Sequence, residues 1–370
     1  MREILTELEA WLAAGRRIAV ATLVEVFKSA PRQPGAVMAV SDQGEVLGSV
    51  SGGCVEAALY DEAMAVLQDG QPRLLTFGIS DEDAMAVGLT CGGTIRVFLE
   101  RADWAPDLVP RLARAIRAEE PAALVTVTAG PGVGSKLLVT ATEVQGTTGT
   151  PSLDERLIAE ARGVLQMGQT GVRRFGAAGE TRGDAVTAFI ESFAPPPRMF
   201  VFGAIDYAGA VVRIGKFLGY RVILCDARPV FATRARFPEA DEIVVRWPHE
   251  YLQEAQVGPR DVICVLTHDT KFDVPLLLAA LKTPAAYIGA MGSRNTHERR
   301  YRELLAAGAT PEELERIASP IGLDIGGRTP EETAISIAAE IIALRYGRPG
   351  GRLKDRPGPI HVETAADALR

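Results

Sequence analysis

Two short elements mirror each other in the first hundred residues: Ser51-Gly52-Gly53-Cys54, and Cys91-Gly92-Gly93. A cysteine can act as a nucleophile or as a soft ligand to a metal or sulfur centre, and it does so best as thiolate. Paired glycines let backbone N–H groups come close to a ligand. Cys54 falls where a helix from Val55 is predicted to begin, and the positive end of a helix favours an anion. Tight packing is the competing reading, because a cysteine outside a disulfide is among the most buried residue types. Zinc fits poorly, since the first half holds no C-x-x-C spacing and no histidine. The nearby stretch "FKSAPRQPGAVMAV" places Arg32 on an interstrand loop, where a guanidinium can meet an anionic group.

The second half carries another set. "VFGAIDYAGA" puts Gly203 at the end of a strand, but Ile205 stands where G-x-G-x-x-G has its second glycine, and Asp206 is predicted to cap the following helix. Both replacements speak against a dinucleotide phosphate at this turn. Asp226 ends the next strand, 23 positions after Gly203, a spacing that suits a ribose-binding acid and equally a turn. His268 and Asp269 follow one strand; Gly292, Ser293 and Arg294 follow another; Gly327 and Arg328 precede a helix that begins with acids. A histidine, arginines and helix N-termini suit an anion, while turn hydrogen bonding accounts for the same residue types.

The elements that must hold these residues fall into two domains. Three consecutive prolines, Pro195 to Pro197, predict an extended connector. Beyond them "MFVFG", "RVILCD", "EIVVR", "DVICVLT" and "AAYIGAM" alternate with helical patterns, which predicts an open, parallel, Rossmann-like α/β sheet over residues 195–346. The glycine- and proline-rich segment 347–370 is expected to be a mobile tail. Before the prolines, residues 1–194 are predicted to form an α+β domain with a degenerate internal duplication. "EAMAVLQDGQPRLLTFG" from Glu62 and "EARGVLQMGQTGVRRFG" from Glu160 match at a constant offset, 160 − 62 = 98, which defines repeats of about 15–100 and 121–192. Both Gly-Gly-Cys elements are missing from the second copy, so they point to a site rather than to scaffold.

Composition narrows the function classes. A net charge of −7 gives no broad attraction to nucleic acid, and no apolar run is long enough for a signal peptide core or a membrane span. Four cysteines in 370 residues make no disulfide framework, which predicts a reducing, cytoplasmic setting.

Taken in order, "SGGCVE", "TCGG", "APRQPGA", "THD", "GAMGSR" and "GLDIGGRTPEE" resemble the XdhC/CoxI family across nearly the whole chain. The resemblance implies an accessory protein rather than an enzyme. It would bind molybdenum cofactor, as molybdopterin or its cytidine dinucleotide form, as cargo, and assist sulfuration and insertion into an apo molybdenum hydroxylase of the xanthine or carbon monoxide dehydrogenase type. It further implies molybdenum-proximal thiolates at Cys54 and Cys91, cofactor contacts from Gly52, Gly53, Gly92, Gly93, His268, Asp269, Ser293, Arg294 and Arg328, and a cysteine desulfurase as a second partner. A homodimer is the default expectation. Family members commonly read G-A-G-H where this chain has Gly203-Ala204-Ile205-Asp206. The alternative reading is an NAD(P)-dependent oxidoreductase with His268 as proton donor.

Overall fold

In the computed structural model residues 1–27, 30–78 and 93–355 are described. The chain divides into two units, Met1–Pro195 and Pro196–Arg370.

The first unit runs twice through the order helix, three strands, helix, two strands. The first pass comprises α1 (Leu5–Ala13), β1 (Ile18–Phe27), β2 (Val37–Ser41), β3 (Val46–Gly48), α2 (Glu56–Asp69), β4 (Arg73–Gly78) and β5 (Thr94–Arg101). The second comprises α3 (Ala105–Arg117), β6 (Ala122–Ala129), β7 (Lys136–Thr140), β8 (Val144–Gly146), α4 (Pro151–Met167), β9 (Gly171–Phe175) and β10 (Val186–Ser192). Their sheets have the same strand order, β3-β2-β1-β5-β4 and β8-β7-β6-β10-β9. The first helix stops before Gly15, which has φ +70°, and Arg16 and Arg17 lie beyond it.

α2 buries Leu59, Ala63, Val66 and Leu67 on one face of the first sheet, and α4 buries Leu157, Ala161, Val164 and Leu165 on the second. Leu8 and Trp11 of α1 and Val109 and Leu112 of α3 share a core with the opposite faces of both sheets. Buried charges also link the sheets: Lys136 lies 2.5 Å from Glu100, while Glu25 pairs with Arg96 at 2.7 Å and Arg174 at 3.3 Å.

The second unit is a parallel sheet covered on both faces. It contains β11 (Arg198–Phe202), α5 (Asp206–Phe217), β12 (Arg221–Cys225), β13 (Glu242–Val244), α6 (Pro248–Glu254), β14 (Val262–Val265), α7 (Thr270–Leu281), β15 (Tyr287–Ala290), α8 (Arg294–Ala306), α9 (Pro311–Leu314), β16 (Ile317–Ala318) and α10 (Pro330–Arg345). Its order is β13-β12-β11-β14-β15-β16. α5 and α10 cover one face, and α6, α7 and α8 the other. Burial on both sides explains why β11, β14 and β15 read as unbroken apolar runs. The order reverses between β11 and β14, so the carboxyl ends of these strands flank the switch point where open sheets take ligands. Residues Leu353–Asp355 form a 3-10 turn in the segment expected to be a mobile tail. Residues 356–370 of that tail lie outside the described residues.

Candidate functional site

In the first unit the loop from Ser49 to Val55 joins β3 to α2, and its shape is set by Glu56. One carboxylate oxygen of Glu56 accepts from Ser49 Oγ at 2.5 Å, Val50 N at 3.2 Å and Ser51 N at 2.9 Å. The other accepts from Ser51 Oγ at 2.5 Å, Gly53 N at 2.9 Å and Val55 N at 3.1 Å. Gly52 N donates to Ser49 Oγ at 2.8 Å, and Cys54 N to Ser51 Oγ at 2.9 Å. Burial works to raise the Glu56 carboxyl, yet the Ser49 and Ser51 donors outweigh it and hold the group at about 2. A carboxylate that accepts several N–H and O–H groups behaves this way.

This corrects the expectation for the glycines. The N–H groups of Gly52 and Gly53 are taken by Ser49 Oγ and Glu56, so they are not offered to a ligand, and no side chain caps the N-terminus of α2. The glycines are there for backbone conformation, with φ +79° and +117°, which L side chains rarely adopt. Cys54 is half-buried: it borders the α2 core cluster and remains partly open to solvent. A side chain at Gly52 would come within 3.8 Å of Pro31, so the Arg32 loop lies beside the thiol loop. Arg32 pairs with Glu3 and lines a cleft of about 520 Å³ with Gln33, Thr170 and Glu191, which Cys54 does not line. Gly93 is buried immediately before β5. Cys91 and Gly92 lie outside the described residues.

In the second unit Gly203 follows β11 with φ +109°, and a Cβ there would lie 2.8 Å from Thr267 Cγ2. Glycine is needed because the ends of β11 and β14 approach so closely. Asp206 is not a cap: it is the first residue of α5, exposed, and 3.6 Å from Arg236, while the cap position belongs to Ile205. Asp226 is buried, and its carboxylate accepts from Ala204 N at 2.8 Å, Arg228 N at 2.9 Å and the Arg228 guanidinium at 2.9 and 2.8 Å. A ribose-binding acid needs a free edge, and this carboxylate is occupied by its own chain. At the helix end after Gly327 the backbone amides are engaged: Glu332 accepts Arg328 N at 2.7 Å and Thr329 N at 3.1 Å in a capping box with Thr329.

His268 stands exposed after Thr267, and the Arg294 and Arg328 side chains are also exposed. Asp269 caps α7, accepting Lys271 N at 3.2 Å, and Lys271 beside it holds its carboxyl below the usual range. Ser293 caps α8 through Thr296 N at 3.2 Å. Gly292, φ +152°, has no room for a Cβ, which would sit 2.9 Å from Thr296. The edge therefore presents an imidazole and guanidiniums on capped, fixed loops, a chemistry suited to an anion.

Beneath it lies a buried group that the sequence reading missed. Arg300, 2% exposed, donates to Asp273 at 2.7 Å, to Met291 O at 2.8 Å and to Ser319 Oγ at 3.3 Å, while Thr267 Oγ1 donates to Asp273 at 2.5 Å. One guanidinium thus ties together the segments that follow β14, β15 and β16. Its sequence signal was slight: Arg300 sits in an arginine-rich helix, and only its i, i+4 phase with buried Leu304 sets it apart. Among the described residues no group of three or more His, Cys, Asp or Glu side chains is placed to hold a metal ion.

A Rossmann-type parallel sheet joined to a twice-repeated α+β unit with a thiol-bearing loop is the class that fold and site define. Sequence comparison agrees: the model described as "XdhC Rossmann domain" matches residues 199–341, and that of the "XdhC and CoxI family" matches 11–78 and 115–176. The chain belongs to the XdhC and CoxI family. It is 28% identical to a probable xanthine dehydrogenase subunit of Bacillus subtilis, over 92% of this chain and 97% of that one. It is 26% identical to the molybdenum cofactor insertion chaperone PaoD of Escherichia coli, over 90% and 85% respectively. The crystal structure of a xanthine dehydrogenase from Bacillus halodurans superposes with TM-score 0.63 at 26% identity, covering 95% of this chain and 98% of that one.

Proposed function

We propose that this protein is a cytoplasmic accessory factor that binds molybdenum cofactor as cargo and assists its sulfuration and insertion into an apo molybdenum hydroxylase of the xanthine or carbon monoxide dehydrogenase type. The relatives named as a cofactor insertion chaperone and as a xanthine dehydrogenase subunit support the maturation role. The observation that carries the site assignment is Cys54, a half-buried thiol on a loop fixed by Glu56, where the second repeat has Ser152, 152 − 54 = 98 positions on. A soft thiolate suits molybdenum or a labile sulfur ligand. His268, Arg294 and Arg328 would meet the pterin or its phosphate, with Cys91 as a second thiolate. The cofactor is taken as either molybdopterin or its cytidine dinucleotide. The working assembly is a homodimer that meets the hydroxylase and a cysteine desulfurase.

Nicotinamide chemistry is disfavoured by Ile205 at the glycine position and by the occupied carboxylate of Asp226. The test is to incubate the purified protein with released molybdenum cofactor and follow co-elution, then repeat with Cys54→Ala and Cys91→Ala. Wild type should carry the cofactor, and each variant should carry less. Equal retention by the variants removes the thiols from the site, and tight NAD or NADP binding without cofactor retention reverses the reading.

A further inference from the structure

Cys54 is clamped on three sides by a single carboxylate oxygen. The N–H groups of its two chain neighbours, Gly53 and Val55, both donate to Glu56 Oε2, at 2.9 and 3.1 Å. Its own N–H donates to Ser51 Oγ, and that hydroxyl in turn donates to the same Oε2 at 2.5 Å. The sister loop supplies the comparison. Asp154, 154 − 56 = 98 positions on, accepts from Thr147 Oγ1 at 2.5 Å, Thr148 N at 2.8 Å and Thr148 Oγ1 at 2.6 Å. The acid that pins the first part of the loop is therefore common to both copies. The N–H donors around position 54 appear in the first copy alone, and so does the thiol.

We propose that Glu56 is the positioning residue for Cys54, fixing the turn that carries the thiol rather than leaving its N–H groups for an anion. Charge and reach are both required. A glutamine must turn its N–H₂ toward one of the two N–H donor pairs, Val50 and Ser51 or Gly53 and Val55, and an aspartate is one methylene shorter. The loop then offers a ligand the sulfur atom, with its backbone amides already engaged.

The proposal rests on the cargo role of Cys54, but its test reads the loop directly. Amide exchange at Gly53 to Val55 and the rate of Cys54 alkylation by iodoacetamide are measured in full-length wild type, Glu56→Gln, Glu56→Asp and Asp154→Asn. Glu56→Gln should speed exchange about tenfold or more and change the alkylation rate about threefold or more, with Glu56→Asp in between. Asp154→Asn should loosen only its own loop and leave Cys54 within about twofold of wild type, which a general loss of stability would not do. The proposal is overturned if Glu56→Gln leaves both readouts at wild-type values, or if Asp154→Asn alters Cys54 equally. Should Glu56→Gln not fold, Glu56→Asp decides by the same two readouts. Failure of wild type to retain cofactor would count against the cargo role alone.

Discussion

Asp226 occupies the position of a ribose-binding acid yet spends its oxygens on Ala204 N and Arg228. Burial works to raise its pKa, and the donors from Arg228 and Ala204 outweigh that and hold it below the ordinary value of 3.8. A depressed folded pKa means stability that is full above the unfolded value and is lost as pH falls through the lower, folded one. Asp226→Asn should therefore cost about 2–4 kcal/mol at neutral pH, measured by urea unfolding, and the gap to wild type should close below about pH 3.8. Burial likewise pushes the thiols of Cys225 and Cys264 up to about 12. Both should resist iodoacetamide in the native protein and react only after denaturation, as peptide mass spectrometry would show. At this scale the sequence supplied residue types, but not who had already claimed each oxygen. Asp226 and the amides of Gly52 and Gly53 suited a ligand by spacing alone, and only coordinates reveal that Arg228 and Glu56 reach them first.

Gly48 and Gly146 end the corresponding strands β3 and β8, 98 positions apart, with φ +72° and +92°. A Cβ would lie 2.2 Å from Val37 O in the first and 2.1 Å from Lys136 O in the second. Because backbone must move to admit a methyl group, Gly48→Ala or Gly146→Ala should each cost about 2–4 kcal/mol in thermal or urea unfolding. The matching glycines in "EVLG" and "EVQG" were a legible sign of the repeat. The parallel strands were legible for a related reason, since burial on both faces leaves unbroken apolar runs. Unit-one strands were harder to phase: β1 is sandwiched between the α2 layer and the α1/α3 layer, so alternation fades. Asp206 misled because an acid before an apolar run looks like a cap, whereas the chain turns one residue earlier. Arg300 had no local pattern, because its partners come from segments 9 to 27 positions away. Arg300→Met should leave Asp273 buried without its cation and cost about 3–5 kcal/mol in the same unfolding assay.

Each of the two units has its own core, and Pro195 to Pro197 lie at the division between them. Separately expressed 1–195 and 196–355 should therefore each show cooperative thermal unfolding by circular dichroism; a fragment without a transition would mean that its core needs the other unit. No helix among the described residues is long and apolar enough to cross a membrane. Within the first unit, the two sheets keep one connectivity, one glycine at the end of the third strand and one acid under the loop, but only one of them holds Cys54. A polypeptide built this way carries its own blank. Whatever Ser152 and its surroundings do in an experiment is background recorded under identical temperature, solvent and concentration, and what remains after subtraction belongs to the residues that the first copy alone holds, Cys54 and Cys91 among them.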